Sequence, residues 1–73
     1  TISILRRAQK ELAQLPVGAY ERVRDTIRTL GQEPRPSGCR RLTGREAWRL
    51  RAGDYRIIYE VDDHQQSVTI LVL

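Results

Sequence analysis

Residues 48–61 read Trp48-Arg49-Leu50-Arg51-Ala52-Gly53-Asp54-Tyr55-Arg56-Ile57-Ile58-Tyr59-Glu60-Val61, two runs typical of β-strands on either side of a Gly-Asp pair. Such a pair between two strand-like runs indicates a two-residue hairpin loop of the primed type. If Gly53 and Asp54 form the loop, the facing residues step outward together from it. The predicted pairs are Ala52 with Tyr55, Arg51 with Arg56, Leu50 with Ile57, Arg49 with Ile58, and Trp48 with Tyr59.

This hairpin has one apolar face and one cationic face, because side chains alternate between the two sides of a strand. The apolar face, predicted to be core, carries Trp48, Leu50, Ala52, Tyr55, Ile57, Tyr59 and Val61. The opposite face carries Arg49, Arg51, Arg56, Ile58 and Glu60. Arg51 directly opposite Arg56 costs stability unless an anion lies between them. The hairpin therefore predicts an anion-binding surface.

Length and cysteine content limit the class of protein. A chain of 73 residues suits one small domain with a sheet and a single helical layer. Cys39 is the only cysteine and His64 the only histidine, which excludes an intrachain disulfide and a structural zinc site. No metal or other cofactor is predicted. The single cysteine suits a reducing compartment, so we expect a cytoplasmic location. No run is apolar for long enough to span a bilayer, so we expect no membrane partner.

The formal net charge of +4 favours nucleic acid or an acidic protein as partner. Of the 13 basic residues, all except Lys10 are arginine. Arginine suits bidentate contact with phosphate, but the same bias would follow from a genome that favours arginine codons. Charge alone leaves both explanations open.

The N-terminal half is predicted to form a strand and a helical hairpin. Residues 2–5 have the composition of a short first strand. Apolar residues then recur at helical spacing in two stripes, the first ending at Pro16 and the second followed by Gly31, which is expected to be a left-handed C-cap. The stripes are Leu5, Ala8, Leu12 and Leu15, and then Tyr20, Val23, Ile27 and Leu30. Charges of mixed sign on the outer faces are typical of solvated helices.

Residues 32–44 are predicted to be a loop, since two prolines and two glycines interrupt any periodicity. This loop and its flank are basic through Arg35, Arg40, Arg41 and Arg45. They could extend the cationic face or remain solvated, and Arg41 and Arg45 are our candidates for RNA contact.

Residues 62–67 indicate a polar turn, and residues 68–73 a last strand. This strand is apolar on both faces, which predicts a position inside the sheet. The order strand, helix, helix, strand, strand, strand predicts an α+β domain over residues 1–73, with the helical hairpin on one face of a largely antiparallel sheet.

Other polar and aromatic residues have more ordinary interpretations. His64 is expected to be a solvated turn residue rather than a catalytic one. Trp48, Tyr55 and Tyr59 could stack on bases, but their alternation favours the core. Glu60 on the cationic face could act as a base, yet a cross-strand salt bridge with an arginine is the simpler expectation.

Several segments resemble the RelE/ParE superfamily of bacterial and archaeal type II toxins. They are Ala8 to Pro16, Glu33-Pro34-Arg35-Pro36, Leu42-Thr43-Gly44 and, most specifically, Arg51-Ala52-Gly53-Asp54-Tyr55-Arg56-Ile57-Ile58-Tyr59. The resemblance spans nearly the whole chain and is closer to the RelE branch. It implies a RelE-like fold of order βααβββ. It also implies a metal-independent endoribonuclease that cleaves mRNA in the ribosomal A site, with a cognate antitoxin, mRNA and 16S rRNA as partners.

The resemblance also implies site residues. Basic residues of the second and third strands of the family surround the phosphate, and they match Arg49, Arg51 and Arg56, expected to be both catalytic and RNA-binding. Arginine is a poor general base because its pKa stays above 12 in proteins. The family places further proton-transfer residues after the last strand. Since this sequence stops at Leu73, we expect the domain to lack that C-terminal tail.

A second class of function stays open. The chain could be a ParE-like inhibitor of DNA gyrase without nuclease activity. It could also be a toxin-like module that acts mainly in a toxin–antitoxin hetero-oligomer repressing its own operon.

Overall fold

The computed structural model describes residues 1–73, with two helices against one five-stranded sheet. The strands are β1 (Ile2–Ile4), β2 (Arg40–Arg41), β3 (Ala47–Ala52), β4 (Tyr55–Asp62) and β5 (Ser67–Val72), and the helices are α1 (Arg6–Ala13) and α2 (Val17–Gln32). The strand order is β1-β5-β4-β3-β2, parallel between β1 and β5 and antiparallel elsewhere. The predicted α+β class with a largely antiparallel sheet is confirmed.

The β3–β4 hairpin has the predicted register. Its pairs run from Ala52 with Tyr55, through Arg51 with Arg56, to Trp48 with Tyr59. Gly53 has a φ of +65°, a left-handed conformation that glycine adopts without steric cost. The local sequence therefore sets which side chains of the hairpin share a face.

The core lies between the helices and one face of the sheet. Each helix buries part of its apolar stripe, because that face carries no charge that would lose its hydration. Ala8 of α1 and Val23, Ile27 and Leu30 of α2 are buried, whereas Leu5 and Tyr20 stay exposed. The buried cluster consists of Ala8, Val23, Ile27, Leu30, Ala52, Ile57, Tyr59, Val68 and Ile70. No polar or charged residue is buried. Full burial of a large apolar side chain contributes about 1.5–3 kcal/mol, so this cluster holds the helices to the sheet.

Strand β5 lies inside the sheet, between β1 and β4, as its apolar composition predicts. Its pairing with β4 shifts between Ile58 and Tyr59, so that Ile58 faces Val72 while Tyr59 faces Ile70. Leu71 is the extra residue of this irregularity. The shift turns Val72 to the side of the sheet away from the helices, beside Ile58. We call that side the free face.

Gly31 is not the C-cap of α2, and this prediction is wrong. The helix continues to Gln32, and Glu33 donates its backbone N–H to the Thr29 carbonyl at 2.9 Å. A Cβ at Gly31 would lie 2.7 Å from Ile2 Cδ1. The glycine therefore lets β1 approach the helix. The helix ends where it does because Pro34 disfavours helical geometry in the residue before it.

The predicted loop over residues 32–44 contains the short strand β2, which sequence periodicity did not indicate. Arg40 pairs with Arg49 and Arg41 with Trp48, and the turn is closed by the Leu42 N–H donating to the Ala47 carbonyl at 2.9 Å. Two residues are too few to show a strand period. The first strand is also one residue shorter than predicted, since Leu5 is the N-cap of α1. Neither helix is both long and apolar enough to cross a membrane.

Candidate functional site

Four arginines on the free face line a cavity of about 390 Å³, together with Gly38. We call this cavity the arginine pocket; its arginines are Arg40, Arg49, Arg51 and Arg56. No apolar side chain contributes to the lining. Gly38 has a φ of +95°, a left-handed conformation that favours glycine.

Three strands position the four arginines. Arg49 and Arg51 are two residues apart on β3, so both point to the free face. Arg56 on β4 faces Arg51, and Arg40 on β2 faces Arg49. Facing residues have Cβ atoms about 4.5–5.5 Å apart. The pocket thus consists of two cross-strand arginine pairs, offset by two residues along β3.

None of these arginines has an acidic partner. The ion pairs of the molecule join Arg24 to Asp25 at 3.3 Å, Arg35 to Asp63 at 2.9 Å, and Arg41 to Glu46 at 2.7 Å. Each guanidinium carries five N–H donors and no acceptor. The pocket therefore presents four uncompensated positive charges and a dense set of donors, an arrangement that suits an anionic ligand.

The structure brings Arg49, Arg51 and Arg56 together but not the other two candidates. Arg41 faces Trp48, so its side chain leaves β2 on the opposite side from Arg40. It donates to Glu46 Oε1 at 2.7 Å and to the Arg45 carbonyl at 3.2 Å. Arg45 lies in the turn between β2 and β3 and does not line the pocket.

Arg40 is a pocket residue that the sequence left open, since it could extend the cationic face or remain solvated and was not among the candidates for RNA contact. Its pairing with Arg49 depends on the hairpin formed by β2 and β3, which has a turn with Gly44 at a φ of +72°. The Thr43-Gly44 pair was the available signal, because glycine often marks the positive-φ position of a hairpin loop.

No proton acceptor lines the pocket. Glu60 lies on the same face of β4 as Arg56 but four residues away, about 13 Å along the strand. It forms no salt bridge, so the expected pairing with an arginine is absent. Glu60 instead lines a separate cavity with Glu46, Asp62 and Asp63. His64 is exposed in the turn after β4, at the other end of that strand from Arg56.

The aromatic residues of the hairpin belong to the helix-covered side, as predicted. Tyr59 is fully buried, and its hydroxyl donates to the Pro34 carbonyl at 2.7 Å. Burial raises the pKa of Tyr59 above its ordinary value, with a smaller contribution from Cys39 beside it. Trp48 and Tyr55 are partly buried and pack against the core. No aromatic residue lines the arginine pocket, so its lining consists of the guanidinium groups that suit phosphate and of Gly38.

Residues 33–39 are held against the sheet by contacts with Tyr59 and Trp48. Arg35 lies over the Trp48 ring at 5.0 Å and makes two hydrogen bonds to the Asp63 carboxylate, at 3.0 and 2.9 Å. The bond from Arg35 lowers the pKa of Asp63. Together with the Tyr59 hydrogen bond, these contacts hold the segment that leads to Gly38 and β2. These contacts position Gly38 and Arg40, and the residues that make them do not line the pocket.

The chain is similar to known toxins in sequence and in fold. The family model described as the ParE toxin of type II toxin-antitoxin systems, parDE, matches residues 2–73. Among solved structures, the chain is similar to the archaeal RelE–RelB complex of Pyrococcus horikoshii OT3, at 31% identity and a TM-score of 0.83, covering 97% of this chain and 88% of that one.

Two further structures extend the comparison. The toxin–antitoxin complex RelBE2 of Mycobacterium tuberculosis is 27% identical with a TM-score of 0.84, over 99% of this chain and 91% of that one. The YoeB/ParE toxin of Agrobacterium tumefaciens shares the fold at 18% identity and a TM-score of 0.85, over 99% and 93% of the two chains. No curated protein sequence matches.

Proposed function

The chain belongs to the ParE toxin family of type II toxin–antitoxin systems, within the RelE/ParE superfamily, and we propose that it is a ribosome-dependent endoribonuclease that cleaves mRNA in the A site. The observation that carries this proposal is the arginine pocket, in which four arginines without acidic partners share an open sheet face. Two of the similar structures at the higher identities, 31% and 27%, are RelE–RelB and RelBE2 complexes, which favours the RelE branch.

The pocket suits the charge changes of RNA cleavage. The ribose 2′-hydroxyl gives up its proton and attacks the adjacent phosphorus, and the phosphorane that forms carries more negative charge than the substrate. The bond to the 5′ oxygen then breaks, and that oxygen takes up a proton. In the proposed complex, Arg51 and Arg56 bind the non-bridging oxygens from opposite strands, and Arg49 adds positive charge beside them. Loss of one such preorganised donor typically costs about 2.7–4 kcal/mol of barrier.

Proton transfer is not explained by the pocket itself. Arginine stays protonated in proteins, and Glu60 lies about 13 Å along the strand from Arg56, beyond hydrogen-bond reach of the same phosphate. The acceptor for the 2′-hydroxyl proton therefore comes from outside the arginine pocket. In this proposal the toxin binds the phosphate and stabilises its charge, while the ribosome presents the substrate.

A cognate antitoxin is the proposed partner, since the RelE–RelB and RelBE2 structures are toxin–antitoxin complexes. Two surfaces of this chain suit such a partner. Strand β1 is at the edge of the sheet and can pair with an added strand, and the arginine pocket can accept acidic side chains. In the resulting hetero-oligomer, an antitoxin over the pocket would prevent contact with mRNA.

The test is toeprinting of mRNA on translating ribosomes with purified toxin. We expect cleavage in the A site with the unaltered chain and a loss of about 100- to 1,000-fold in cleavage rate for Arg56→Ala, in line with removal of one charge-stabilising donor. Arg28→Ala, on the exposed outer side of α2, is the matched control and should cleave normally. An unaltered chain that leaves A-site mRNA intact would contradict the proposal.

Inhibition of DNA gyrase is the second candidate, because the matching family model is that of ParE toxins. The two functions make opposite predictions. A gyrase inhibitor would accumulate arrested gyrase–DNA complexes and leave mRNA on ribosomes uncut, whereas the proposed nuclease would do the reverse.

A further inference from the structure

The four arginines of the pocket form two pairs, and each pair alone suffices for one phosphate. A phosphodiester has two non-bridging oxygens, and two guanidiniums in bidentate contact satisfy both of them. Arg51 with Arg56 makes one such pair, and Arg40 with Arg49 makes another. A single phosphate would leave half of the donors and half of the charge of the pocket uncompensated.

We propose that the arginine pocket holds two consecutive phosphates of one RNA strand, the second of them bound by Arg40 and Arg49. The inference rests on the proposed function and adds a subsite to it. It assigns Arg40, from the short edge strand β2, as a substrate-positioning residue.

The geometry of the strands supports two subsites. Arg49 and Arg51 are two residues apart on β3, so the two pairs are offset by about 6.6 Å along the strand. Arg40 and Arg56 lie on opposite sides of β3, which makes the four side chains a diagonal track across three strands. The cavity of about 390 Å³ is lined by both pairs, so it extends along the sheet beyond Arg51 and Arg56.

The arrangement of β2 supports a ligand for Arg40. Arg40 faces Arg49 with no acid between them, so a second like-charge pair lies beside that of Arg51 and Arg56. Its neighbour Arg41 is by contrast neutralised by Glu46 at 2.7 Å. The strand is short and at the edge, yet its one arginine on the free face is left unpaired. Like charges placed opposite each other are destabilising in the free protein, and a bound anion removes that effect.

An RNA backbone fits this track better than a compact diphosphate. The two arginine pairs are separated along β3, and no aromatic or apolar side chain in the lining offers a nucleobase a stacking surface. Contacts to phosphate alone fix the position of a strand without reading its sequence. The two subsites would therefore hold the mRNA in register across the phosphate that is cleaved.

The experiment is a titration of the full chain with the oligonucleotides UpU, which has one phosphodiester, and UpUpU, which has two. Signals of the arginine Nε–H groups in NMR spectra report binding and identify the arginines involved. We expect UpUpU to bind at least ten-fold more tightly than UpU to the unaltered chain. In Arg40→Ala the ratio should fall to about two, the statistical value for two equivalent phosphates on one subsite, while UpU affinity changes less than two-fold.

Salt dependence provides an independent reading. A second ionic contact makes binding more sensitive to salt, so the affinity of UpUpU should fall more steeply with salt than that of UpU in the unaltered chain but not in Arg40→Ala. Arg28→Ala is the control and should keep both the ratio and the slopes. Circular dichroism confirms that the variants are folded.

Several outcomes would overturn the inference. They are a ratio of two or less in the unaltered chain, no binding of either oligonucleotide, or equal weakening of UpU and UpUpU by Arg40→Ala. Pyrophosphate that binds as tightly as UpUpU, with the same dependence on Arg40, would identify a compact diphosphate as ligand instead of RNA.

The two proposals fail separately. Ribosomal cleavage without a preference for UpUpU would leave the nuclease in place and remove the second subsite. The preference without cleavage would leave the subsite and remove the nuclease.

Discussion

Arg51 and Arg56 face each other across the β3–β4 hairpin, and neither forms an ion pair. A hairpin selected for stability alone would place opposite charges at such positions, since like charges directly opposite are destabilising. The same two residues are the centre of the proposed phosphate site. At the scale of single residues, the site is therefore built at the expense of fold stability.

Replacement of one of these arginines should stabilise the free protein. We expect Arg56→Gln to raise the free energy of unfolding by about 0.2–1 kcal/mol, because it removes the repulsion and keeps a polar side chain on an exposed position. Urea denaturation at low salt measures the change. The gain should shrink at high salt, where exposed charges are screened.

Arg28→Gln serves as the control, since Arg28 is exposed on α2 and forms no ion pair. Its effect should stay within about 0.5 kcal/mol, as for most surface substitutions. A destabilised Arg56→Gln would mean that Arg56 makes a stabilising contact that outweighs the repulsion from Arg51.

At the scale of elements, the segment of residues 33–39 and strand β2 depend on contacts from the hairpin. Tyr59 is buried beneath the segment and donates its hydroxyl hydrogen to the Pro34 carbonyl at 2.7 Å. Arg35 adds the stack on Trp48 at 5.0 Å. These contacts hold in place a stretch that has almost no regular structure of its own, and they thereby determine where Gly38 and Arg40 meet the pocket.

Tyr59→Phe should destabilise the protein by about 0.5–1.5 kcal/mol, the usual net contribution of an intramolecular hydrogen bond. Burial raises the pKa of Tyr59, so its proton is held more tightly in the folded than in the unfolded chain. The stability linked to it is complete below the unfolded pKa of about 10 and decreases as the pH rises above that value.

Measured by urea denaturation from pH 8 to 11, the unaltered chain should therefore lose stability at the alkaline end more steeply than Tyr59→Phe. Tyr20→Phe, which alters a 36% exposed tyrosine on α2, should keep the alkaline slope of the unaltered chain. Identical slopes in the unaltered chain and Tyr59→Phe would contradict the role assigned to this hydroxyl.

At the scale of the whole molecule, the Arg35–Asp63 pair connects regions that are 28 residues apart in the sequence. It ties the segment after α2 to the turn between β4 and β5. The hydrogen bond from Arg35 lowers the pKa of the Asp63 carboxyl, so the folded chain favours the ionised form. The stability from this pair is present above the ordinary aspartate pKa of about 3.9 and is lost as the pH falls below it.

We accordingly expect Asp63→Asn to reduce stability at neutral pH and to flatten the decline of stability on acidification from pH 6 to 2. Thermal denaturation across this range measures both effects. Arg35→Gln should flatten the acid decline in the same way, and the double variant should have the acid profile of either single variant, because both changes remove the same ion pair. Additive effects of the two substitutions on the acid profile would show that the residues act independently.

The hairpin shows how much of the structure can be predicted from neighbouring residues in the sequence. Its two-residue loop and alternating side chains predicted every cross-strand pair from Ala52–Tyr55 to Trp48–Tyr59, and with them the shared face of Arg49, Arg51 and Arg56. The helical stripes likewise contain every residue that α1 and α2 bury, although Leu5 and Tyr20 of those stripes are exposed. These features follow from periodicity within one element, which is a property of neighbouring residues.

The chain's own sequence thus determined the two helices, the hairpin register and the cationic face. The tertiary structure alone decided that Arg40 joins that face while Arg41 turns to Glu46, and that Gly31 admits Ile2 instead of capping α2. These outcomes depend on contacts between different elements, because β2 pairs with β3 and β1 packs against α2. A two-residue strand or a single glycine has no period of its own, so only the packing of its partners determines its role.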